Sequence, residues 1–139
     1  MPDQNAHNHP GVAHKGGYAK IGELGGPCAY CGCISGEWDY IPPRRRAPLS
    51  DARRMKVPVC LDCGNALQHV AADTFDARAI ELAHRLRHRY RSALSACRLS
   101  EDELAELGDN LRNRVQATIE LGTAIEQRLI VIQNAARAP

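Results

Sequence analysis

Two cysteine pairs constrain this chain more than anything else in it. Cys28-Ala29-Tyr30-Cys31 and Cys60-Leu61-Asp62-Cys63 are CxxC pairs with 28 residues between them. Two intervening residues let both sulfurs of a pair turn toward one point. Two such pairs supply the four thiolates of a closed, tetrahedral Zn²⁺ site, which has no open position for a substrate and is therefore structural. A glycine follows each pair, Gly32 and Gly64, where a knuckle turn calls for backbone freedom. Four merely buried thiols would not call for those glycines. A redox CxxC of the thioredoxin kind is disfavoured because no βαβ pattern surrounds either pair. Two of the six cysteines are left over. Cys33 adjoins the first knuckle as a competing ligand, and Cys97 falls on the apolar face of an expected helix and reads as core.

Only six of the 139 residues are aromatic, so the core must rest on aliphatic side chains and on the metal. Residues 1–26 read as a disordered tail: they hold six of the 11 glycines and His7, His9 and His14, and show no apolar periodicity. In residues 27–73, Ser35-Gly36 signals a turn, and Trp38 to Ile41 alternate as a short strand that Pro42-Pro43 ends. Val57-Pro58-Val59 leads into the second knuckle, and a helix is expected over 65–72. Knuckle, hairpin, knuckle and helix follow the order of a ββα treble clef. Residues 74–139 read as a helical extension. The first helix spans 74–97, with Thr74 or Asp76 as N-cap and Ile80, Ala83, Leu86 or Arg87, Tyr90, Leu94 and Cys97 as its stripe. Ser100 with Glu103 forms a capping box, Gly108 is a stop, and Asp109 or Asn110 starts a last helix to about Ala136. Its seam of Leu111, Val115, Thr118, Gly122, Ile125, Leu129, Ile132 and Ala136 steps by alternating fours and threes. A rod of roughly 40 Å outreaches a small zinc core. Part of the seam should pack on the 74–97 helix, and the rest is available for a homodimer through 109–136. The expected fold class is α+β, mostly helical.

Three segments carry a family resemblance: Cys28-Ala29-Tyr30-Cys31-Gly32, Asp39-Tyr40-Ile41-Pro42-Pro43-Arg44, and Val57-Pro58-Val59-Cys60-Leu61-Asp62-Cys63-Gly64-Asn65. With Arg87-His88-Arg89-Tyr90-Arg91 behind them, they resemble the small zinc-containing HNH (His-Me finger) endonucleases of phages and mobile elements, over about residues 27–110. The resemblance implies hydrolysis of phosphodiesters. In that family a histidine after the aspartate activates water, and Mg²⁺ or another divalent ion is held by the aspartate and by a His or Asn on the next helix. Here Tyr40 stands at the base position, and a phenol of pKa about 10 is a poor base at neutral pH. Gly64 stands at the helix-ligand position, with Asn65 one step later and His69 one turn later as substitutes. Of the implied catalytic set only Asp39 is intact. A degenerate nuclease site follows. The alternative is an active endonuclease drawing its base from His69, His84 or His88.

The net charge of +2 hides an uneven distribution. Residues 44–91 carry 11 basic residues against five acidic, while the segments on either side each come to −2. Arginine outnumbers lysine 15 to three, which suits bidentate phosphate contacts. Arg44, Arg45, Arg46, Arg87 and Arg91 are the expected phosphate contacts, and duplex DNA is the expected partner. Acidic Glu101, Asp102, Glu103, Glu106 and Asp109 offer a different outcome: they would pair with the basic helix and make the chain a protein-interaction module. No apolar run reaches the ~18 residues of a membrane span, and no basic-then-apolar leader opens the chain. The cytoplasm is the expected compartment, that of the host if the chain is phage-encoded.

Overall fold

A computed structural model of the chain describes residues 17–96 and 99–137. His7, His9, His14 and Cys97 lie outside the described residues. Helix makes up about 54% of the structure, so a mixed, mostly helical fold is present. A three-stranded sheet is built from β1 (Ala19–Lys20), β2 (Glu37–Ile41) and β3 (Met55–Val59) in the order β1-β3-β2. β3 runs parallel to β1 and antiparallel to β2, with Tyr40 opposite Lys56 and Trp38 opposite Pro58. Among the described residues five α-helices follow: α1 (Leu61–Ala66), α2 (Phe75–Arg89), α3 (Arg91–Ala96), α4 (Glu101–Ala105) and α5 (Asp109–Arg137).

Residues 18–26, expected to belong to a disordered tail, are instead held in the fold. Ala19 and Lys20 pair with Met55 and Lys56, and the Tyr18 hydroxyl donates to the Pro42 carbonyl at 2.6 Å. Gly25 N–H reaches Ser35 O at 3.0 Å and Ser35 N–H reaches Gly26 O at 2.9 Å. These backbone bonds repay ordering that apolar periodicity alone would not reveal.

The helix expected over 65–72 instead begins at Leu61, because Cys60 is its N-cap and accepts from Cys63 N–H. It stops at Ala66, and His69 adopts a left-handed φ of 64°. Gly64 sits inside this helix, not in a knuckle turn. A Cβ there would fall 1.8 Å from Glu37 Oε1, so its missing side chain makes room for Glu37. Gly32, with φ at 83°, is the glycine that a turn requires.

The expected 74–97 helix bends at Tyr90 into α2 and α3, with Thr74 as the N-cap of α2. Its buried face is Arg78, Ala79, Leu82, Ala83 and Leu86, whereas Ile80 is 67% exposed. Ile80 shifts the expected stripe in phase away from Leu82. The capping box forms as the sequence implies: Glu103 N–H donates to Ser100 Oγ and Ser100 N–H to Glu103 Oε1. In α5 the seam divides. Gly122, Ile125, Leu129 and Ile132 are buried, and α5 packs on both α2 and α3. Leu111 is 50% exposed, and Val115 and Thr118 are half-buried. Burial of Leu82, Leu86, Ile125 and Ile132, each 2% exposed or less, is worth about 1.5–3 kcal/mol per side chain. This core joins the helices to the cysteine cluster without a break.

Candidate metal centre

The Sγ atoms of Cys28, Cys31, Cys60 and Cys63 lie within 4.8 Å of one another, and all four residues are buried. Cys31 Sγ and Cys60 Sγ are 3.6 Å apart. Tetrahedral zinc with Zn–S near 2.3 Å requires sulfurs about 3.8 Å apart, so the donor set fits a structural metal in number, chemistry and spacing. Thiols packed this closely share their protons unevenly. Hydrogen bonds from Cys28, then Cys60 and Cys63, pull Cys31 below the ordinary thiol range, while those with Cys28, then Cys31 and Cys60, push Cys63 above it. A divalent cation held by Cys28, Cys31, Cys60 and Cys63 would remove that competition by taking all four as thiolates.

Local backbone chemistry positions each pair. In the first, Gly32 N–H donates to Cys28 O at 2.9 Å, and an isolated bridge joins Pro27 to Ile34. In the second, β3 delivers Cys60 to the start of α1, and Cys63 N–H donates to Cys60 Sγ at 3.4 Å. The two knuckles are stitched together by Ala29 N–H to Pro58 O at 2.8 Å and Gly36 N–H to Val59 O at 3.0 Å. Cys33 is exposed and stands outside the cluster.

Around the sulfurs lies a polar shell that sequence reasoning missed. Arg128 on α5 donates from Nη2 to Cys63 Sγ at 3.2 Å and from Nη1 to Asp62 Oδ2 at 2.7 Å. Asp62, inside the second CxxC, also accepts from Arg89 at 2.9 Å and from the Tyr90 hydroxyl at 3.1 Å. Burial alone would raise the Asp62 carboxyl. The bonds from Arg128 and Tyr90, with the charges of Arg128 and Arg89, outweigh it and hold the group below its ordinary value. One carboxylate thus ties α2, the α2–α3 bend and α5 to the knuckle. A signal for Arg128 exists in the sequence: it falls three residues after Ile125 and four before Ile132, within the buried stripe, where a charge needs a partner.

The expected active-site residues do not come together. Asp39 faces inward from β2. Arg78 Nε and Nη2 bind its two oxygens at 2.9 and 2.6 Å, and the Tyr30 hydroxyl adds a bond of 2.6 Å. Arg78 Nη1 also donates to the Val70 and Ala72 carbonyls. With Arg78 only 3% exposed and Asp39 9%, this is a buried ion pair joining the sheet to α2. Burial and then the Asp39 charge raise the Tyr30 phenol, so it stays protonated as the donor. Tyr40 faces the other side of the sheet, edge-on to Tyr18 at 5.1 Å, with the Arg44 guanidinium 3.9 Å above its ring. Asn65 lies elsewhere, in a hollow of about 460 Å³ lined with His84, Arg85, His88 and Arg89. His69 lines a separate hollow with Ala77, Glu81 and Arg85.

The expected phosphate contacts also divide. Arg44 is at the sheet's outer face, and Arg45 and Arg46 are exposed in the turn after β2. Arg87 lines a hollow between α2 and α5 with Ile80 and Ile132, and Arg91 is exposed at the start of α3. Other basic residues of the segment are occupied internally: Arg54 with the Ala47 carbonyl, Arg78 with Asp39, Arg85 with the Ala66 and Gln68 carbonyls, and Arg89 with Asp62.

Compared with known protein families, curated proteins and solved structures, the chain finds no match in any of the three. The likeness to HNH endonucleases therefore rests on the quoted motifs alone. Among the described residues, no helix is long and apolar enough to cross a membrane.

Proposed function

We propose that the chain is a zinc-stabilised nucleic-acid-binding protein of HNH-like, treble-clef type that does not cleave its target, with duplex DNA as the first candidate. The observation that carries the non-cleaving reading is the occupation of Asp39. A carboxylate that must hold a catalytic ion is instead bound through both oxygens to a buried arginine. Tyr40 beside it has no group that removes a proton from water at neutral pH. The four-sulfur cluster supports zinc as the structural ion, since soft thiolates in a tetrahedral set select it over Mg²⁺. The binding half is supported by the basic middle of the chain.

The test combines metal analysis, binding and cleavage on the full-length protein. One zinc per chain is expected, with duplex binding that weakens as salt rises and no nicking of plasmid in Mg²⁺, Mn²⁺ or Ni²⁺. Nicking that Asp39→Ala abolishes while the variant stays folded and zinc-loaded would establish the active alternative. The hollow that gathers Asn65, His84 and His88 is what favours that alternative, although Asp39 does not line it. A stoichiometric protein partner with no affinity for nucleic acid would replace both readings by an interaction module.

A further inference from the structure

The outer face of the sheet carries an arrangement that the zinc site does not explain. Side chains opposite one another across neighbouring strands share a face, and residues two apart along a strand do so as well. The register therefore puts Lys20, Lys56 and Tyr40 in one row, with Trp38 beside them on β2. Asp39 and Ile41, between and beyond, point into the core. Lys56 Nζ lies 4.8 Å from the Trp38 ring centroid and 5.9 Å from that of Tyr40, and Lys20 Nζ is 5.8 Å from Trp38. Arg44 stacks on Tyr40, and Tyr18 meets Tyr40 edge-on. Glu23 pairs with Lys20 at 3.0 Å. Lys56 and Arg44 have no ion pair among the described residues, and both sit against rings instead.

From this face we infer that the chain takes a single-stranded segment of nucleic acid, its bases stacking on Trp38 and Tyr40 and its phosphates drawing Lys20, Lys56 and Arg44 off the rings. The inference rests on the nucleic-acid reading above and narrows it. Cations interleaved with aromatic rings match a polyanion that also offers flat faces. An acidic peptide supplies the charge without the faces, and a duplex keeps its base faces inside the stack. Trp38 and Tyr40 stand about 7 Å apart along β2, room for one base each. Ammonium groups held near ring faces are exchangeable, since cation–π contact at an exposed site is weak beside contact with phosphate.

Trp38 is the only tryptophan, so its emission reports on this face alone. The experiment titrates zinc-loaded, full-length protein with a labelled 12-nucleotide oligo-dT and, separately, with a duplex of equal length, reading label anisotropy and Trp38 emission together. Oligo-dT is expected to quench Trp38 along the same curve as its anisotropy. Trp38→Ala should weaken oligo-dT binding by about 5- to 150-fold, and Lys56→Gln should lower the salt slope by about one. If Trp38→Ala fails to fold, judged by circular dichroism and zinc content, the wild-type quench and Lys56→Gln still decide. Oligo-dT anisotropy that rises with unchanged Trp38 emission overturns the inference and leaves the nucleic-acid reading standing. Quenching by polyglutamate equal to that by oligo-dT overturns it by showing charge recognition alone. If neither oligonucleotide binds, both readings fall.

Discussion

Arg128 and Asp62, 66 positions apart in the chain, meet in a 2.7 Å ion pair at the edge of the four-sulfur cluster. The other arm of the same guanidinium reaches Cys63 Sγ. A divalent metal held by four thiolates would carry a net charge of −2, and a half-buried cation donating to one sulfur would offset part of it. The last helix is thereby joined to the cysteine cluster by charge as well as by packing. Arg128→Ala is expected to weaken zinc binding by about 10- to 100-fold, as loss of an outer-sphere partner does, with Arg128→Lys between the two. Competition with a chromogenic chelator measures this, and unchanged affinity in Arg128→Ala would show that the bond to Cys63 is incidental.

The Asp39–Arg78 pair yields a prediction that separates structure from catalysis. Removing one member of a buried pair strands the other, at a cost of about 3–5 kcal/mol. Asp39→Ala should lose stability of that order in urea at fixed zinc, and Tyr30→Phe about 1–3 kcal/mol, the loss of one bond to a charged acceptor. A carboxylate kept for catalysis would behave otherwise, and Asp39→Ala would then be neutral or stabilising.

How far the sequence foretold this follows from what each signal depends on. The cysteine spacing is local, so the metal site was legible, as were the Ser100 capping box and the restart at Asp109. Asp39 was recognised through its neighbours in the motif, but its partner Arg78 lies 39 residues on and no local pattern names it. The clue was a charge out of place: Arg78 falls between Phe75 and Leu82 on the buried stripe, as Arg128 falls between Ile125 and Ile132. Such arginines read as surface charge when counted, and only the packing shows that they point inward. The strand at Ala19–Lys20 left no clue, because it is held by backbone bonds to β3 and not by an apolar pattern of its own.

Asp62 sets a pH dependence. Its carboxyl is held below its ordinary value in the folded state, so the folded protein binds the proton less tightly than the unfolded chain does. The resulting stability is complete above the unfolded pKa of about 3.9 and is lost as pH falls through the lower folded value. Asp62→Asn should remove this contribution, so its difference in stability from wild type should shrink as pH drops below about 4. Thiolate protonation also releases metal in acid, so the comparison is made between the two proteins at matched zinc occupancy. A difference that stays constant down through this window would show that folding does not shift the Asp62 carboxyl.

The two halves of α5 should respond in opposite ways. Ile125 and Leu129, 2% and 7% exposed, pack into the core, and Ile125→Ala or Leu129→Ala should cost about 2–5 kcal/mol. Leu111 and Val115 continue the same seam with half-exposed or half-buried side chains, beside a hollow formed with Arg114 and Thr118. We propose a second copy of the chain as the partner of that part, because an apolar seam stepping by fours and threes suits a like helix. Leu111→Asp with Val115→Asp should then convert a dimer into a folded monomer by sedimentation, with the urea midpoint no longer dependent on protein concentration. A wild-type chain that sediments as a monomer at all concentrations would assign the seam's first half to contacts within one chain. The same substitutions would then cost stability without altering the sedimenting mass.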